Sequence, residues 1–211
     1  YLHYVLDLWF EKCIKKQLYG EAYLVRFADD FLIMFQYERD AQRVYEAVIK
    51  RMELFGLELS KEKTRILPFG RHSVSRETFD FLGFTHFNSK TRKGYYTVGH
   101  KISRKKKKQF KSNLKKWVKE NRNTQFDEFM KALNKKLTGS FNYYSLSGMI
   151  REVRNLWHHS LYVTFKWINR RSQRRSFKLE RFCEIWNDRI IRPYIHVDIW
   201  SGDKVIYNMN V

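Results

Sequence analysis

The sequence has 211 residues, of which 43% are hydrophobic and 17% aromatic. This is enough apolar surface for one or two domains with buried cores, and it excludes a wholly disordered chain. Two prolines, nine glycines and two cysteines exclude collagen-like material, a disulfide framework and a four-cysteine zinc site. No apolar run approaches the roughly 20 residues of a membrane helix, so we expect no membrane-spanning segment.

The formal net charge of +20 lies entirely in the second part of the chain. Residues 1–88 carry 13 basic and 13 acidic side chains, whereas residues 89–211 carry 29 basic and 9 acidic ones. This asymmetry indicates a neutral scaffold or catalytic part joined to a part that binds a polyanion. Nucleic acid is favoured over a membrane surface as that polyanion, because the sequence has no lipidation motif.

In the first part, apolar spacing predicts a mixture of helices and strands, which is typical of the α+β class. The predicted elements are, in order, a helix that ends at Gly20, hairpin strands at residues 23–27 and 31–35, a helix that ends at Gly56, extended pieces at residues 57–59 and 64–67, a strand at residues 79–87 and a hairpin turn around Gly94. The first helix has no start signal, so we expect the chain to be the continuation of a longer protein.

From about residue 100 onward the pattern becomes helical, and we place the boundary between the two parts near residues 89–100. Apolar stripes predict four helices, at residues 103–121, from Thr124 onward, at residues 149–168 and at residues 179–190. Thr124 and Asp127 have the spacing of a capping box, and Pro193 follows the last helix. This part is therefore predicted to be an all-α bundle.

The sharpest chemical feature is YLVRFADDFLIMF, residues 23–35, in which two adjacent carboxylates separate two apolar strands. Such charges are costly unless something pairs with them, and a divalent cation is a suitable partner. Carboxylates are ligands that Mg²⁺ prefers, and two such ions can assist nucleotidyl transfer. The alternative is that Asp29 and Asp30 are only turn residues, since Asp is common in turns.

Four segments, in this order, resemble the motifs of reverse transcriptases encoded by group II introns. FADD, residues 27–30, resembles the aromatic-x-Asp-Asp box, and GLELSKEKTRI, residues 56–66, resembles the next palm motif. FDFLGF, residues 79–84, resembles the primer-grip segment. LTGSFNYY, residues 137–144, resembles the signature of the maturase, or X, region.

The resemblance implies a truncated right-hand polymerase palm, built of a helix and antiparallel strands, followed by an all-α thumb/X helical bundle. We assign residues 1–95 to the palm and residues 96–211 to the thumb/X domain. The implied function is an RNA-directed DNA polymerase of a mobile element that also binds its intron RNA as a splicing maturase. The implied partners are intron RNA as template, a DNA primer or target and dNTPs, in the bacterial cytoplasm or, alternatively, in an organelle.

By the same resemblance, Asp29 and Asp30 are two catalytic carboxylates and ligands of a two-metal Mg²⁺ site. The family's first catalytic aspartate and its fingers do not occur in this sequence, and Asp7 is no substitute because it lies on a predicted helix. Lys63 corresponds to a basic residue near the incoming triphosphate, or else it is a solvated lysine in a turn. The residues that correspond to the primer grip are Phe81, Leu82, Gly83 and Phe84.

Basic and aromatic side chains of the second part are the candidates for RNA binding. The candidates are Lys101, Arg104, Lys105, Lys106, Lys107, Lys108, Lys111, Lys115, Tyr143, Tyr144, Arg170 and Arg171, with Arg174 and Arg175 in the same cluster as the last two. Each group has a structural alternative, since charge runs can be solvated surfaces, tyrosines can belong to the core and arginines can pair with a helix end.

Two other functions remain open at this point. A non-catalytic maturase would keep the fold and bind RNA without polymerising, and a related reverse transcriptase could serve in CRISPR-associated defence. Intact Asp29 and Asp30 favour the polymerase, because a pure binding module has no need for two charges at a hairpin tip.

Overall fold

The computed structural model describes residues 1–60, 62–171 and 176–195. Arg174, Arg175 and the stretch after residue 195 lie outside the described residues. The fold is α+β, with two small antiparallel sheets and several helices, as predicted. The chain divides into two compact units, one formed by Tyr1–Leu82 with His86–Val98 and the other by Gly83–Thr85 with the chain from Gly99 onward.

The first unit begins with a helical segment of two π-helical pieces, His3–Leu8 and Phe10–Ile14, and a 3-10 turn, Lys15–Gln17. The prediction that this helix reaches Gly20 is wrong. The carboxylate of buried Asp40 accepts hydrogen bonds from the backbone N–H groups of Tyr19 and Gly20, both at 3.0 Å, which fixes this stretch as a loop.

A β-hairpin follows, with strands β1 (Ala22–Phe27) and β2 (Asp30–Phe35). The pairing is antiparallel and runs from Ala22 opposite Phe35 to Phe27 opposite Asp30, which confirms the predicted hairpin. Because side chains alternate along a strand, one face packs on a core and the other is exposed. The core of this unit is built from buried residues of the helical segment, β1 and helix α1 (Glu38–Leu54). Its members are Val5, Leu6, Phe10, Ala22, Val44, Val48 and Met52.

After α1 the chain turns at Gly56, whose φ of 68° is the left-handed conformation that commonly ends a helix. Residues 57–59 and 64–67, predicted to be short extended pieces, are assigned to neither sheet. The turn between them is present, since the backbone N–H groups of Lys63 and Thr64 donate to the carbonyl oxygen of Ser60.

A three-stranded sheet has the order β3 (Thr78–Phe81), β4 (Phe84–Lys90) and β5 (Tyr96–Ile102). The single strand predicted over residues 79–87 is therefore a hairpin. Its turn consists of Leu82 at φ 51° and Gly83 at φ 82°. Two positive φ values are the requirement of a tight hairpin turn, but a leucine in the first position does not signal one. Gly94, at φ 84°, lies between β4 and β5 as predicted.

The second unit contains four helices close to the predicted positions. They are α2 (Arg104–Asn121), α3 (Phe126–Tyr144), α4 (Ile150–Ile168) and α5 (Leu179–Arg189). Ser103 caps α2, and its hydroxyl oxygen accepts from the backbone N–H of Lys106. The predicted capping box of Thr124 and Asp127 is wrong, because the cap of α3 is Gln125, whose side-chain oxygen accepts from Glu128. The side-chain amide of Gln125, one residue after Thr124, thus caps the helix by accepting from the backbone N–H of Glu128.

Helix α4 packs against α2, α3 and α5, and α3 also packs against α5. Fully buried aromatic residues fill the interior, among them Phe129, Phe141, Phe182 and Trp186. The indole N–H of Trp157 donates to the carbonyl oxygen of Ile191 at 3.1 Å, which ties the chain after α5 back to α4. Among the described residues, no helix is long and apolar enough to cross a membrane.

We expect Leu82→Asn to give a more stable protein than Leu82→Ala. Both variants lose the leucine side chain, but asparagine tolerates the left-handed conformation that costs an ordinary residue roughly 1–2 kcal/mol. The free energy of unfolding, measured by urea denaturation, should therefore be higher for Leu82→Asn by about 1 kcal/mol. Equal values for the two variants would show that residue 82 does not keep this conformation in solution.

Candidate functional site

The two adjacent carboxylates lie at the tip of the β1–β2 hairpin. Ala28 and Asp29 form the turn, and Asp30 is the first residue of β2, directly opposite Phe27. Both aspartates are exposed. Cross-strand partners share a face, so Asp30 lies on the exposed face of the hairpin together with Phe27. The arrangement presents two negative charges side by side, away from the core of the first unit.

The backbone of this turn is strained. In the described part of the chain, Ala28 and Leu82 are the two residues other than glycine that have a positive φ, 51° in each case. Such conformations cost free energy and persist where the surrounding structure enforces them, often at functional sites. Both residues lie in segments that the sequence singled out, the Asp-Asp box and the primer-grip segment.

An ion pair holds the hairpin tip from the side of the core. Arg26 donates from Nε to Oδ1 of Asp7 at 2.7 Å and from Nη2 to Oδ2 at 2.6 Å. Its third nitrogen, Nη1, donates to the carbonyl oxygen of Ala28 at 2.9 Å. One guanidinium thus joins the N-terminal helical segment to the turn that precedes the carboxylates.

The pair also shifts the titration of both partners. The hydrogen bonds from Arg26 hold the pKa of the Asp7 carboxyl below its ordinary value, against the opposing effect of burial. The same contact raises the pKa of Arg26, to which the charge of Asp29 contributes. Sequence reasoning missed this pair. The available signal was a charged residue at an inward position of an alternating strand, where a charge needs a partner.

The carboxylates of Asp29 and Asp30 are suited to be two of the ligands of a magnesium ion. In proteins Mg²⁺ is often held by one or two carboxylates, and water and substrate phosphates complete its coordination. Among the described residues, no cluster of three or more metal-binding side chains occurs. The two carboxylates supply the oxygen donors that Mg²⁺ prefers.

Lys63 is exposed, and its backbone N–H closes the turn at Ser60 with a hydrogen bond of 3.0 Å. The side chain of the nearby Arg65 contacts the first residue of β3, since its Nη2 donates to the carbonyl oxygen of Thr78 at 2.8 Å. The side chain of Lys63 is thus positioned on a turn that is attached to β3 through Arg65.

Residues 79–84, which resemble a primer grip, comprise the end of β3, the Leu82–Gly83 turn and the start of β4. Phe81 and Leu82 belong to the first unit, whereas Gly83 and Phe84 belong to the second. In the second unit, the carbonyl oxygen of Gly83 accepts from the backbone N–H of Ser103 at 3.0 Å. This bond fixes the end of the turn to the residue that caps α2.

Phe84 connects this turn to the two tyrosines of the maturase-like signature. Its ring stacks on Tyr143 with centroids 5.7 Å apart and meets the edge of Tyr144 at 5.5 Å. Tyr143 keeps 54% of its surface exposed, while Tyr144 is half-buried. Burial, and to a smaller extent Tyr143, raises the pKa of the Tyr144 hydroxyl. Of the two tyrosines, Tyr143 is the more exposed.

The predicted cations from Lys101 to Lys115, here called the basic run, lie mostly on α2, and their surroundings differ. Lys107 forms an ion pair with Glu152 of α4 at 2.5 Å, so its charge serves the packing of two helices. The remaining predicted residues of α2 are exposed; they are Arg104, Lys105, Lys106, Lys108, Lys111 and Lys115. Lys101 lies on β5, shortly before the cap of α2.

The two described arginines after α4 also differ in exposure. Arg170 is exposed and its guanidinium lies 5.4 Å from the ring centre of Trp167. Arg171 turns inward, with its guanidinium 5.9 Å from the rings of Phe126 and Phe129. Burial lowers its pKa, and in the part of the chain that the structure describes its Nε and Nη2 have no hydrogen-bond partner.

Comparisons with known proteins match the two parts of the chain separately. Residues 1–86 match the family model of reverse transcriptases, described as RNA-dependent DNA polymerases. Residues 107–183 match the model of the maturase-specific domain of group II introns. A comparison with curated proteins gives no match. The first match contains the hairpin with Asp29 and Asp30. The second contains Tyr143, Tyr144 and the later predicted cations of α2, which are Lys107, Lys108, Lys111 and Lys115.

We expect Asp7→Asn to lower the free energy of unfolding at neutral pH. Because the folded-state pKa of Asp7 lies below the ordinary 3.8, the pair stabilises above that value and the contribution is lost as the pH falls through the folded pKa. The difference between wild type and variant in urea denaturation should therefore shrink in acid. Glu11→Gln, which removes an exposed pair with Lys15, is the control and should change little. A difference that is constant with pH would contradict the ion pair.

Proposed function

Because this chain belongs to the reverse transcriptases and maturases encoded by group II introns, we propose that it forms part of an RNA-directed DNA polymerase that also binds its intron RNA during splicing. The observation that carries this proposal is the hairpin tip, where Asp29 and Asp30 are exposed side by side within the matched polymerase segment. A protein that only binds RNA gains nothing from two adjacent negative charges.

In this proposal residues 1–95 are the later part of a polymerase palm and residues 96–211 are the thumb/X domain. The charge distribution supports this division of roles, since residues 1–88 are neutral and residues 89–211 carry the whole positive charge. Intron RNA is the proposed template, and a DNA primer and dNTPs are the proposed co-substrates.

Asp29 and Asp30 are the proposed catalytic carboxylates and Mg²⁺ ligands. These two residues would hold the cation, which when bound would supply activation of the attacking hydroxyl and stabilisation of the leaving pyrophosphate. Arg26 and the strained Ala28 hold the backbone that carries these carboxylates. A held backbone favours catalysis, because ligands that are already in place need no reorganisation as the reaction proceeds.

The primer and the incoming nucleotide are proposed to meet the two turns that follow in the chain. The proposed primer contact consists of Phe81, Leu82, Gly83 and Phe84. The tight turn in this segment supports close approach of a nucleic-acid backbone. Lys63 is the proposed contact for the triphosphate, and its exposure on a turn supports that role.

RNA binding is proposed for the exposed cations of α2, with Lys101, Tyr143, Tyr144, Arg170 and Arg171. The first turn of α2 contains no acidic residue, although cations at a helix N-terminus are disfavoured by the macrodipole. Phosphates would offset this repulsion and release counterions. Tyr143 is suited to stack on a base. Because Arg171 is turned inward, we assign its neighbour Arg170 the more direct contact.

Asp29→Asn tests the catalytic part of the proposal. In a protein that joins this chain to the upstream palm and fingers of the family, we expect primer extension to fall on the order of a thousandfold, because several kcal/mol of transition-state stabilisation are lost. Intron RNA affinity should stay unchanged, since the phosphate-binding charges lie in the second unit. Asp188→Asn, which changes an exposed residue of α5, is the matched control for both assays.

Two results would overturn this assignment. Extension at a near wild-type rate would leave Asp29 as a turn residue. A parallel loss of RNA affinity and activity would make its role structural, and thermal unfolding of the variant would then show the same loss.

Reversal of Lys105, Lys106 and Lys108 to Glu tests the RNA-binding part. These three are exposed, and the triple variant leaves the Lys107–Glu152 pair intact. We expect weaker binding to RNA of any sequence and a flatter dependence of log K on log salt, by about 0.7 for each single-strand phosphate contact that is lost. Lys12, Lys16 and Lys50 reversed together change the net charge equally in the other unit, and should leave the slope nearly unchanged. Equal slopes for both triple variants would make the run a solvated surface.

A further inference from the structure

A shallow groove lies between α2 and α3, within the second unit, and has a volume of about 230 Å³. Leu114 and Leu137 are buried and form its floor, and the rings of Phe110 and Tyr144 line it. The interior of the groove is therefore apolar and partly aromatic. Its volume is below the roughly 300–1,000 Å³ of pockets for drug-sized ligands, which limits an occupant to one small ring system.

The rim of this groove is polar and carries positive charge. Lys106, Gln109 and Asn113 follow one another at spacings of three and four along α2, so they lie on one side of that helix. Lys136 and Ser140 line the groove from α3. None of the described lining residues is acidic.

Two of these rim residues offer unused hydrogen-bonding groups. Gln109 and Asn113 are exposed, and within the described residues their side-chain amides make no hydrogen bond. Each amide presents a donor beside an acceptor, which is the pattern that matches the edge of a nucleobase. An apolar slot with two amides and two ammonium groups matches a flat, hydrogen-bonding ring joined to an anion.

We infer that this α2–α3 groove binds a single unpaired nucleotide of an RNA strand. The base enters the groove, Gln109 and Asn113 hydrogen-bond to its edge, and Lys106 and Lys136 contact the flanking phosphates. This assignment rests on the proposed RNA-binding function and adds a selection for single strands. A duplex cannot serve as the occupant, because its bases are stacked and paired, whereas unpaired bases can leave the strand and stack on protein rings.

One wall of the groove is held in place before any ligand arrives. The Tyr144 ring meets Phe84 at 5.5 Å and Tyr143 at 4.9 Å, in edge-to-face contacts. A wall that is already ordered costs little conformational entropy when a base stacks against it. Tyr143 comes one residue earlier on α3, and its side chain is exposed although its ring also stacks on Phe84, so the neighbouring base of the strand has a second aromatic surface available.

The test is the double variant Gln109→Ala with Asn113→Ala in the 211-residue chain. Both residues are exposed on a helix and alanine is a strong helix former, so the fold should be retained, which circular dichroism verifies. Affinity is measured by fluorescence anisotropy for adenine and uracil oligoribonucleotides of about twelve nucleotides and for an RNA duplex of similar length. Gln42→Ala with Asn155→Ala removes one glutamine and one asparagine from other exposed helix surfaces and is the matched control.

We expect the double variant to lose roughly fivefold or more in affinity for the preferred single strand, with duplex binding and the salt slope unchanged. Equal losses for single strand and duplex, or no loss beyond the control, would overturn the groove assignment. If the wild-type chain binds neither RNA, the proposed function itself fails, which separates the two conclusions.

Discussion

A charge on the packed face of a two-stranded sheet must find a partner, and the first unit satisfies this requirement with the Arg26–Asp7 pair. Arg26 shares its face with Ala22 and Leu24, which contact the apolar core. By also binding the carbonyl oxygen of Ala28, it couples the N-terminal helical segment to the strained turn. The turn that precedes the two carboxylates thus depends on a guanidinium that comes from β1 and is itself fixed by Asp7.

In the second unit the constraint is the mutual repulsion of many cations on the single helix α2. The hydroxyl oxygen of Ser103 accepts from the backbone N–H of Lys106 in the first turn of α2. The backbone N–H of Ser103 donates to the carbonyl oxygen of Gly83 at the end of the β3–β4 turn. Glu152 neutralises one lysine of the run and leaves its neighbours exposed. The helix is therefore anchored on one side by packing, and its unpaired cations project to solvent where an anion can reach them.

The helices, the first hairpin and the α+β class could be predicted from sequence because apolar periodicity and glycine stops are local signals. Features set by distant residues could not. The partner of Arg26 lies nineteen positions earlier in the chain, and the loop at Gly20 depends on the carboxylate of Asp40. The Leu82–Gly83 turn escaped prediction because leucine rarely adopts a positive φ. For the candidate site, the motif order identified the segments, but only the coordinates separate Lys107 from its exposed neighbours and Arg170 from Arg171.

The outward face of the β1–β2 hairpin has a consequence for handling the protein. Tyr23, Val25, Phe27 and Met34 are all exposed there, with between 45% and 66% of their surface accessible. In the described part of the chain this sheet has two strands, so each strand also presents an edge with unpaired backbone groups. Open edges beside apolar surface are templates for non-native pairing between chains. The hairpin that carries the two aspartates therefore combines the features that favour self-association when the 211-residue chain is concentrated by itself.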